Sequence, residues 1–254
     1  MTMEPPEKQV YIEKETIKRL LYDIKDLVKS PLTTEGIYYK HSDDDILTGY
    51  ALIIGPQNTP YYGGFYFFKF QFPSNYPYSP PIVSYLTNDG VVRYHPNFYI
   101  NKKVCLSILN TWRGEQWTSC QSIRSVLITI WSVMDESPLL HEPGIYSTHP
   151  DYASYNNIIY YKNIDFCILT LLTKFETYFP DWPDALREHF KTIMKTEFYN
   201  KKDGILSYVN EKAKTIKKHN ESVSLYNRFI TTIDYADLLK RIHIYIDAEM
   251  PSKN

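Results

Sequence analysis

Cys105 is the residue of this sequence whose type and surroundings best suit covalent chemistry. The thiolate is the nucleophilic form, and an ordinary thiol pKa of about 8.5 leaves only a few per cent ionised at neutral pH. The preceding Lys102 and Lys103 would raise that fraction, although lysines are more often solvated surface charges. Apolar neighbours predict a segment that tucks against a sheet and leaves the thiol partly exposed: Val104, Leu106, Ile108 and Leu109.

The tripeptide His95-Pro96-Asn97 precedes this cysteine. Pro96 has a fixed φ and lies between two side chains that hydrogen-bond locally, which suits a defined turn holding Asn97 in one orientation. Asn97 supplies an uncharged amide donor, and such a donor beside an attacked carbonyl stabilises an oxyanion. A cysteine with an upstream histidine is weak evidence by itself, because thiols are commonly buried as small hydrophobes. Together with the turn, the pattern favours acyl chemistry at Cys105.

The segments His95-Pro96-Asn97 and Val104–Leu109 together resemble the active-site signature of the ubiquitin-conjugating enzymes. Further blocks match in family order: Gly55-Pro56, Thr59–Phe65, Phe72–Pro81, Trp117 and Glu142-Pro143-Gly144. The insertion Asn110–Trp117 and the stretch that ends at Glu142-Pro143-Gly144 look most like the large Z-type conjugating enzymes, which carry a C-terminal extension.

The resemblance covers roughly residues 10–180 and implies an α+β fold, in which a four-stranded antiparallel sheet is flanked by helices. We therefore predict a catalytic core at 10–180 and a helical C-terminal extension at 181–254. The extension has too many apolar residues to leave in water, at roughly 25 cal/mol per Å² of apolar surface. We expect it to be ordered and packed on the core or on a partner, and the resemblance implies a role in selecting the activating enzyme or the modifier.

The resemblance also implies a reaction. Cys105 would accept the C-terminal carboxyl of ubiquitin, or of a ubiquitin-like modifier, from a ubiquitin-activating enzyme by thioester exchange. It would then pass the modifier to a lysine of a protein substrate, usually with a ubiquitin ligase. Asn97 would hold the active-site turn or stabilise the oxyanion, while His95 and Pro96 would support the turn. No metal or cofactor is implied, because the thioester stores the energy and ATP is used by the upstream activating enzyme.

Other site residues follow from the same resemblance. The loop Asp135–Gly144 offers three candidates for orienting or deprotonating the incoming lysine: Ser137, His141 and Glu142. Candidates for contacting the activating enzyme lie on the first helix, where a solvated face is the simpler interpretation: Lys14, Lys18 and Arg19. Candidates for contacting a ligase are Tyr78, Thr118 and Ser119. Many relatives have Ser-Pro-Ala where this chain has Thr118-Ser119-Cys120, which puts a standard RING-type contact there in doubt.

Hydrophobic periodicity predicts the order of the elements. Apolar residues at three- and four-residue steps predict helices at Glu13–Lys29, Gln121–Met134 and Asn156–Thr177. Short apolar-rich runs separated by Asp, Asn, Gly and Pro predict the strands of an antiparallel meander: Gly36–Lys40, Leu47–Ile54, Gly63–Phe72 and Ile82–Leu86. In the extension, the same periodicity predicts helices at Asp184–Tyr199, Ile205–Lys218 and Ala236–Asp247.

Composition narrows the class of protein. The 254 residues include 28 basic and 29 acidic side chains, so no overall charge favours binding to nucleic acid or to an anionic membrane. Met1–Gln9 lack the pattern of a signal peptide, and no run of about twenty apolar residues is present to span a bilayer. The three cysteines form neither a disulfide framework nor a zinc motif, which predicts a reducing compartment, cytoplasmic and/or nuclear.

Two rival functions stay open at this stage. The first is an inactive conjugating-enzyme variant that binds ubiquitin or a partner enzyme as a scaffold. Inactive variants that resemble this family lack the cysteine, so Cys105 argues for activity. The second is an unrelated cysteine hydrolase in which His95 is the base for Cys105, although the sequence carries no signature of that class.

Overall fold

The computed structural model describes residues 11–249. Residues 1–10 and 250–254, which include Met1–Gln9 and the outer ends of both predicted domain ranges, lie outside the described part. The first elements in chain order are α1 (Lys14–Lys29), β1 (Ile37–His41), β2 (Thr48–Ile54), β3 (Phe65–Gln71), β4 (Ile82–Tyr85) and α2 (Ile123–Ser132). They are followed by α3 (Asp151–Lys162), a π-helical stretch (Asn163–Thr170), α4 (Leu171–Tyr178), α5 (Asp184–Thr215), β5 (His219–Val223), β6 (Phe229–Ile233) and α6 (Tyr235–Glu249).

The four strands of the first sheet pair antiparallel in the order β1-β2-β3-β4. Because side chains alternate along a strand, Phe67 and Phe68 of β3 point to opposite faces. Phe68 packs edge-on against Phe98, which directly follows the tripeptide His95-Pro96-Asn97, with ring centroids 5.3 Å apart. Phe67 packs against Trp182 and Phe190 at centroid distances of 5.6 and 5.4 Å. The sheet therefore has the candidate site on one face and Trp182 and Phe190, from the first part of the extension, on the other. The predicted α+β fold is confirmed.

The extension differs in detail from its prediction as a purely helical segment. The two helices predicted at Asp184–Tyr199 and Ile205–Lys218 form one continuous helix, α5, of 32 residues. Helix α5 passes through Gly204, at a cost of about 1 kcal/mol relative to alanine. Burial of Phe198, Ile205 and Val209 on either side of that glycine keeps the helix intact.

The extension also contains a β-hairpin, β5–β6, that the sequence interpretation missed. Three consecutive non-glycine residues in its connection have positive φ, with values of 57° at Tyr226, 67° at Asn227 and 55° at Arg228. Left-handed backbone is disfavoured by roughly 1–2 kcal/mol per non-glycine residue, so turns of this kind normally carry glycine. The connection contains no glycine or proline that would have marked a hairpin.

The extension and the first part of the chain share buried contacts. Phe175, Phe179, Trp182 and Phe190 form an aromatic cluster on the sheet that crosses residue 180. Tyr38 of β1 donates a 2.6 Å hydrogen bond to the buried carboxylate of Glu197 on α5. The expectation that the extension packs on the core is met, whereas a functional boundary at 180/181 stays a prediction.

Between residues 11 and 249, the helices include none that is both long and apolar enough to cross a membrane. Over the same range, no three or more His, Cys, Asp or Glu side chains are grouped so that they could hold a metal ion. Cys105, Cys120 and Cys167 are all free thiols.

Candidate active site

Cys105 and Asn97 hold each other in place. The side-chain amide of Asn97 donates a 2.5 Å hydrogen bond to the carbonyl of Cys105, and the backbone N–H of Cys105 donates to the carbonyl of Asn97 at 2.9 Å. The tripeptide turn and the cysteine segment are therefore joined by side chain and backbone together. These two bonds fix the backbone of Cys105 relative to the turn, while the buried amide oxygen of Asn97 has no hydrogen-bond partner among the residues that the structure describes.

The prediction of a partly exposed thiol is wrong, because Cys105 is only 2% exposed. The segment that carries it is held on both sides, by the turn at Asn97 and by the insertion that follows. The hydroxyl of Thr111 donates to the carbonyl of Val104 and accepts the N–H of Leu106, each at 2.9 Å, which clamps the backbone on both sides of the cysteine. Gly114 lies so close to Ser107 that an added Cβ would be 3.0 Å from the serine Cβ. The insertion thus packs over the cysteine segment.

The three cysteines have different environments. Cys120 is exposed, while Cys167 is fully buried, and burial raises the pKa of the Cys167 thiol well above its usual value. A thiol held protonated is neither nucleophile nor metal ligand. Cys105 is the one that lies beside an ordered turn with an amide donor.

His95 is completely buried and has both ring nitrogens engaged. Nδ1 lies 3.0 Å from the N–H of Asn97, which can only donate, so Nδ1 is the acceptor and Nε2 carries the proton. Nε2–H then donates to the carbonyl of Val133 at 2.9 Å. Burial, followed by the nearby His141, lowers the pKa of His95 well below its ordinary value. A neutral ring with both nitrogens in use supports the turn and has none free to take a proton from Cys105.

The loop Asp135–Gly144 carries the three candidates for lysine orientation, and the structure separates them. His141 stacks obliquely on His95 at a centroid distance of 4.8 Å, and its Nε2 lies 2.8 Å from a carboxylate oxygen of Asp135. Ser137 instead hydrogen-bonds to the hydroxyl of Tyr152 at 2.9 Å. Glu142 accepts a 2.8 Å hydrogen bond from Tyr226 of the extension. Of the three, His141 is the one packed directly against the tripeptide turn.

Residues 19–164 match the family model of the ubiquitin-conjugating enzyme. This match spans more than half of the chain and includes the sheet, the turn and Cys105. The chain belongs to the ubiquitin-conjugating enzyme family. The resemblance drawn from the motifs is therefore confirmed.

Several relatives carry the name ubiquitin-conjugating enzyme E2 Z. The protein of Danio rerio is 43% identical over 159 residues, which is 61% of this chain and 48% of the relative. That of Homo sapiens is 43% identical over 157 residues, or 61% of this chain and 44% of the relative. That of Xenopus tropicalis is 39% identical over 186 residues, or 72% and 56%. The chain thus spans about half the length of the curated relatives it matches, and the predicted likeness to Z-type ubiquitin-conjugating enzymes is confirmed.

The predicted partner-contact residues of this ubiquitin-conjugating enzyme meet on one surface. Lys14 and Lys18 are exposed on α1, and Thr118 and Ser119 are exposed after Trp117. Tyr78 is 63% exposed and donates a 2.9 Å hydrogen bond to Glu15 of α1.

Arg19 behaves differently from the other predicted contact residues. It donates to the carboxylate of Asp23 at 2.8 Å and to the carbonyl of Ser119 at 2.6 Å, and it also bonds the carbonyl of Gln121. These bonds tie α1 to the segment before α2. A partner that contacted the Arg19 guanidinium would have to share or break them.

Sequence reasoning missed three residues around the site of this ubiquitin-conjugating enzyme. Thr111 clamps the cysteine segment, Arg93 hydrogen-bonds the carbonyl of Pro96, and Tyr226 packs on Arg93. Arg93 and Thr111 each lie close to a motif in sequence and carry side chains that suit hydrogen bonding, so their position was an available signal. Tyr226 lies far along the chain, and nothing local in the sequence connects it with the site.

Proposed function

We propose that this protein is an active ubiquitin-conjugating enzyme that carries ubiquitin, or a ubiquitin-like modifier, as a thioester on Cys105. The observation that carries the proposal is the mutual pair of hydrogen bonds between Asn97 and Cys105 in a chain of this family. Such a pair fixes the reacting sulfur relative to the turn, and fixed geometry is a major source of rate in acyl transfer. The names of the E2 Z relatives support the same reaction class.

The reaction has two balanced steps. In charging, the Cys105 thiolate attacks the modifier's C-terminal carbonyl carbon, which is bound to a thiol of the activating enzyme. The new C–S bond forms as the activating enzyme's thiolate leaves. In discharge, a neutral lysine amine attacks the same carbon, the Cys105 thiolate leaves, and the amine loses one proton to give an isopeptide bond. A ubiquitin ligase would hold the protein substrate during this step, and ATP would be consumed upstream by the activating enzyme.

Asn97 and His141 take supporting roles in this proposal. One amide N–H of Asn97 is used on the Cys105 carbonyl, which supports the role of holding the turn. The second amide N–H is the group that would face an oxyanion. His141 is the best-placed candidate to orient the lysine, because it packs on His95 beside the turn and its orientation is held by Asp135.

The rival functions are less well supported. A cysteine hydrolase would need His95 as the base, yet both nitrogens of that ring are bonded to backbone groups. A scaffold that only binds a partner would have no use for a thiol held by Asn97. We also propose a reducing compartment, the cytoplasm and/or the nucleus, a proposal supported by the three free cysteines.

We further propose that residues 10–180 form the conjugating core and that the extension beyond them selects the activating enzyme or the modifier. The insertion Asn110–Gln116 supports a part in selection as well, because it borders an open groove of about 850 Å³ together with Pro143. A modifier approaching Cys105 would meet this insertion, since Thr111 clamps the cysteine segment.

Charging assays with a panel of activating enzymes and modifiers test the proposed function. We expect one pairing to give an adduct on the wild-type chain that reducing agent removes and that Cys105→Ala does not form. Cys120→Ala is the matched control, because Cys120 is exposed and distant in sequence from the turn. A reducing-agent-sensitive adduct that persists in Cys105→Ala would refute the assignment. Failure of every pairing to charge the wild-type chain would favour the scaffold.

A further inference from the structure

The connection of the β5–β6 hairpin reaches the candidate active site. Tyr226, in the middle of this connection, is half-buried and lies with its ring 4.3 Å from the guanidinium carbon of Arg93. The ring of Tyr99 lies on the same guanidinium at 3.7 Å. Two aromatic rings therefore contact the Arg93 guanidinium. Tyr99 lies just after the tripeptide turn, and Tyr226 belongs to the extension. An aromatic face attracts a cation most strongly where water is excluded.

Arg93 transmits this contact to the tripeptide turn. A terminal N–H of its guanidinium donates to the carbonyl of Pro96. The next residue, Asn97, bonds Cys105 through both its side chain and its backbone. An unbroken series of contacts thus runs from Tyr226 through Arg93 and the turn to Cys105.

The hydroxyl of Tyr226 contacts the loop Asp135–Gly144. Its hydroxyl donates to Glu142 at 2.8 Å, and burial together with this hydrogen bond raises the pKa of Tyr226, so the phenol stays a donor. One side chain of the extension therefore contacts both segments that flank the site. The ring holds the turn through Arg93. The hydroxyl bonds Glu142, whereas His141 on the same loop is held separately by Asp135, so the inference rests on the ring.

The hairpin connection is itself anchored, so it can serve as a fixed support. One carboxylate oxygen of the buried Asp151 accepts the backbone N–H groups of Ser224 and Leu225 at 3.0 and 3.1 Å. The same oxygen accepts the hydroxyl of Ser224 at 2.6 Å. These bonds hold the two residues that directly precede the left-handed ones, and so anchor the connection next to Tyr226.

We propose that Tyr226 is a positioning residue for thioester transfer at Cys105, which makes the C-terminal extension a structural part of the active site. This inference rests on the proposed function, and it assigns the extension a role in the geometry of transfer in addition to partner selection. Arg93 is the intermediary. Loss of the Tyr226 ring leaves only one of the two rings, that of Tyr99, on the guanidinium, loosens the Pro96 carbonyl and lets the Asn97–Cys105 pair shift.

Single-turnover discharge of the charged full-length chain onto free lysine is the first test. We expect Tyr226→Ala to slow discharge about tenfold, since misplacement by about 1 Å can cost up to about a hundredfold. Tyr226→Phe keeps the ring over Arg93 and should discharge within about twofold of the wild-type rate. The difference between the Phe and Ala variants then measures the cation–ring contact. Arg93→Ala should match Tyr226→Ala, and the double variant should be no slower than Arg93→Ala alone, because the residues act in series.

Tyr245→Ala is the matched control for loss of stability. Tyr245 is buried in the extension and packs on Phe198 at a centroid distance of 5.5 Å, so its removal weakens the extension without touching Arg93. We expect Tyr245→Ala to lower the melting temperature. At temperatures where this variant is folded, it should discharge at the wild-type rate. If Tyr226→Ala slows discharge only in proportion to the fraction of the chain that is unfolded, the inference is overturned.

Alkylation of the uncharged chain by iodoacetamide tests the same geometry without any modifier. The exposed Cys120 is an internal reference for the buried Cys105 in every sample. We expect Tyr226→Ala to raise the ratio of Cys105 to Cys120 alkylation at least threefold, while Tyr226→Phe and Tyr245→Ala leave it unchanged. A wild-type chain that never charges would refute the proposed function but leave this readout intact. An unchanged ratio in Tyr226→Ala, or additive losses in the double variant, would overturn the inference itself.

Discussion

The side-chain amide of Asn97 donates a 2.5 Å hydrogen bond to the backbone carbonyl of Cys105, whose own N–H donates to the carbonyl of Asn97 at 2.9 Å. The donor and the nucleophile therefore form one structural unit. A substitution of Asn97 changes the position of the sulfur as well as the donors around it. Stability and rate must be measured together to separate these effects.

Asn97→Ala should lower the free energy of unfolding by about 1–2 kcal/mol, because a partly buried hydrogen bond to the Cys105 carbonyl is lost. We expect discharge onto free lysine to slow at least tenfold in the same variant, while charging is less affected. Urea unfolding and single-turnover discharge give the two quantities. Wild-type stability combined with a hundredfold slower discharge would instead assign Asn97 to the oxyanion alone.

Cys105→Ser should form an oxyester that resists reducing agent, because an alkoxide is a poorer leaving group than a thiolate. Gel analysis with and without reductant detects the difference. Cys167→Ala is a control for the buried thiol, whose raised pKa keeps it protonated. It should still charge at Cys105, although the cavity it leaves lowers stability. Loss of charging in folded Cys167→Ala would show that the assignment to Cys105 is incomplete.

The buried His95 should make the protein less stable as the pH falls. Its folded pKa lies well below the ordinary value near 6.5, so below pH 6.5 the unfolded chain binds a proton that the native chain does not. Stability is then lost at up to about 1.4 kcal/mol per pH unit between about pH 6.5 and the lowered pKa. His95→Gln should have a shallower slope by that amount. Urea unfolding at several pH values checks this, and equal slopes would contradict a neutral His95.

Removal of the extension should expose the aromatic cluster on the sheet. A chain that ends at Tyr178 lacks Trp182 and Phe190, which cover Phe67, and we expect it to aggregate or lose cooperative unfolding. Trp182→Ala in the full chain should cost about 3–5 kcal/mol, as large core truncations do. Ile244→Ala is the matched control, because Ile244 is 68% exposed and should change stability little. A truncated chain as stable as the full one would contradict a shared core.

Local patterns in the sequence predicted the elements and the family. Helix α1 was predicted at Glu13–Lys29 and lies at Lys14–Lys29, and β2 was predicted at Leu47–Ile54 and lies at Thr48–Ile54. Such elements are predictable because the period of apolar residues is set by the geometry of the helix or strand itself. The His95-Pro96-Asn97 turn and Cys105 were identifiable because their residue types and order are distinctive.

Tertiary structure alone decided how the site is built. The backbone around Cys105 is clamped by Thr111 of the insertion, and the support of Arg93 depends on Tyr226, which lies far away in sequence. The hairpin connection that carries Tyr226 has no glycine to mark it, and its first two residues are bonded to Asp151, which also lies far away in sequence. Sequence periodicity describes which face of an element is apolar, but it contains no information about which distant side chain will cover that face. Those contacts are chosen by the packing of the whole chain, where each buried group needs a neighbour of matching shape and polarity.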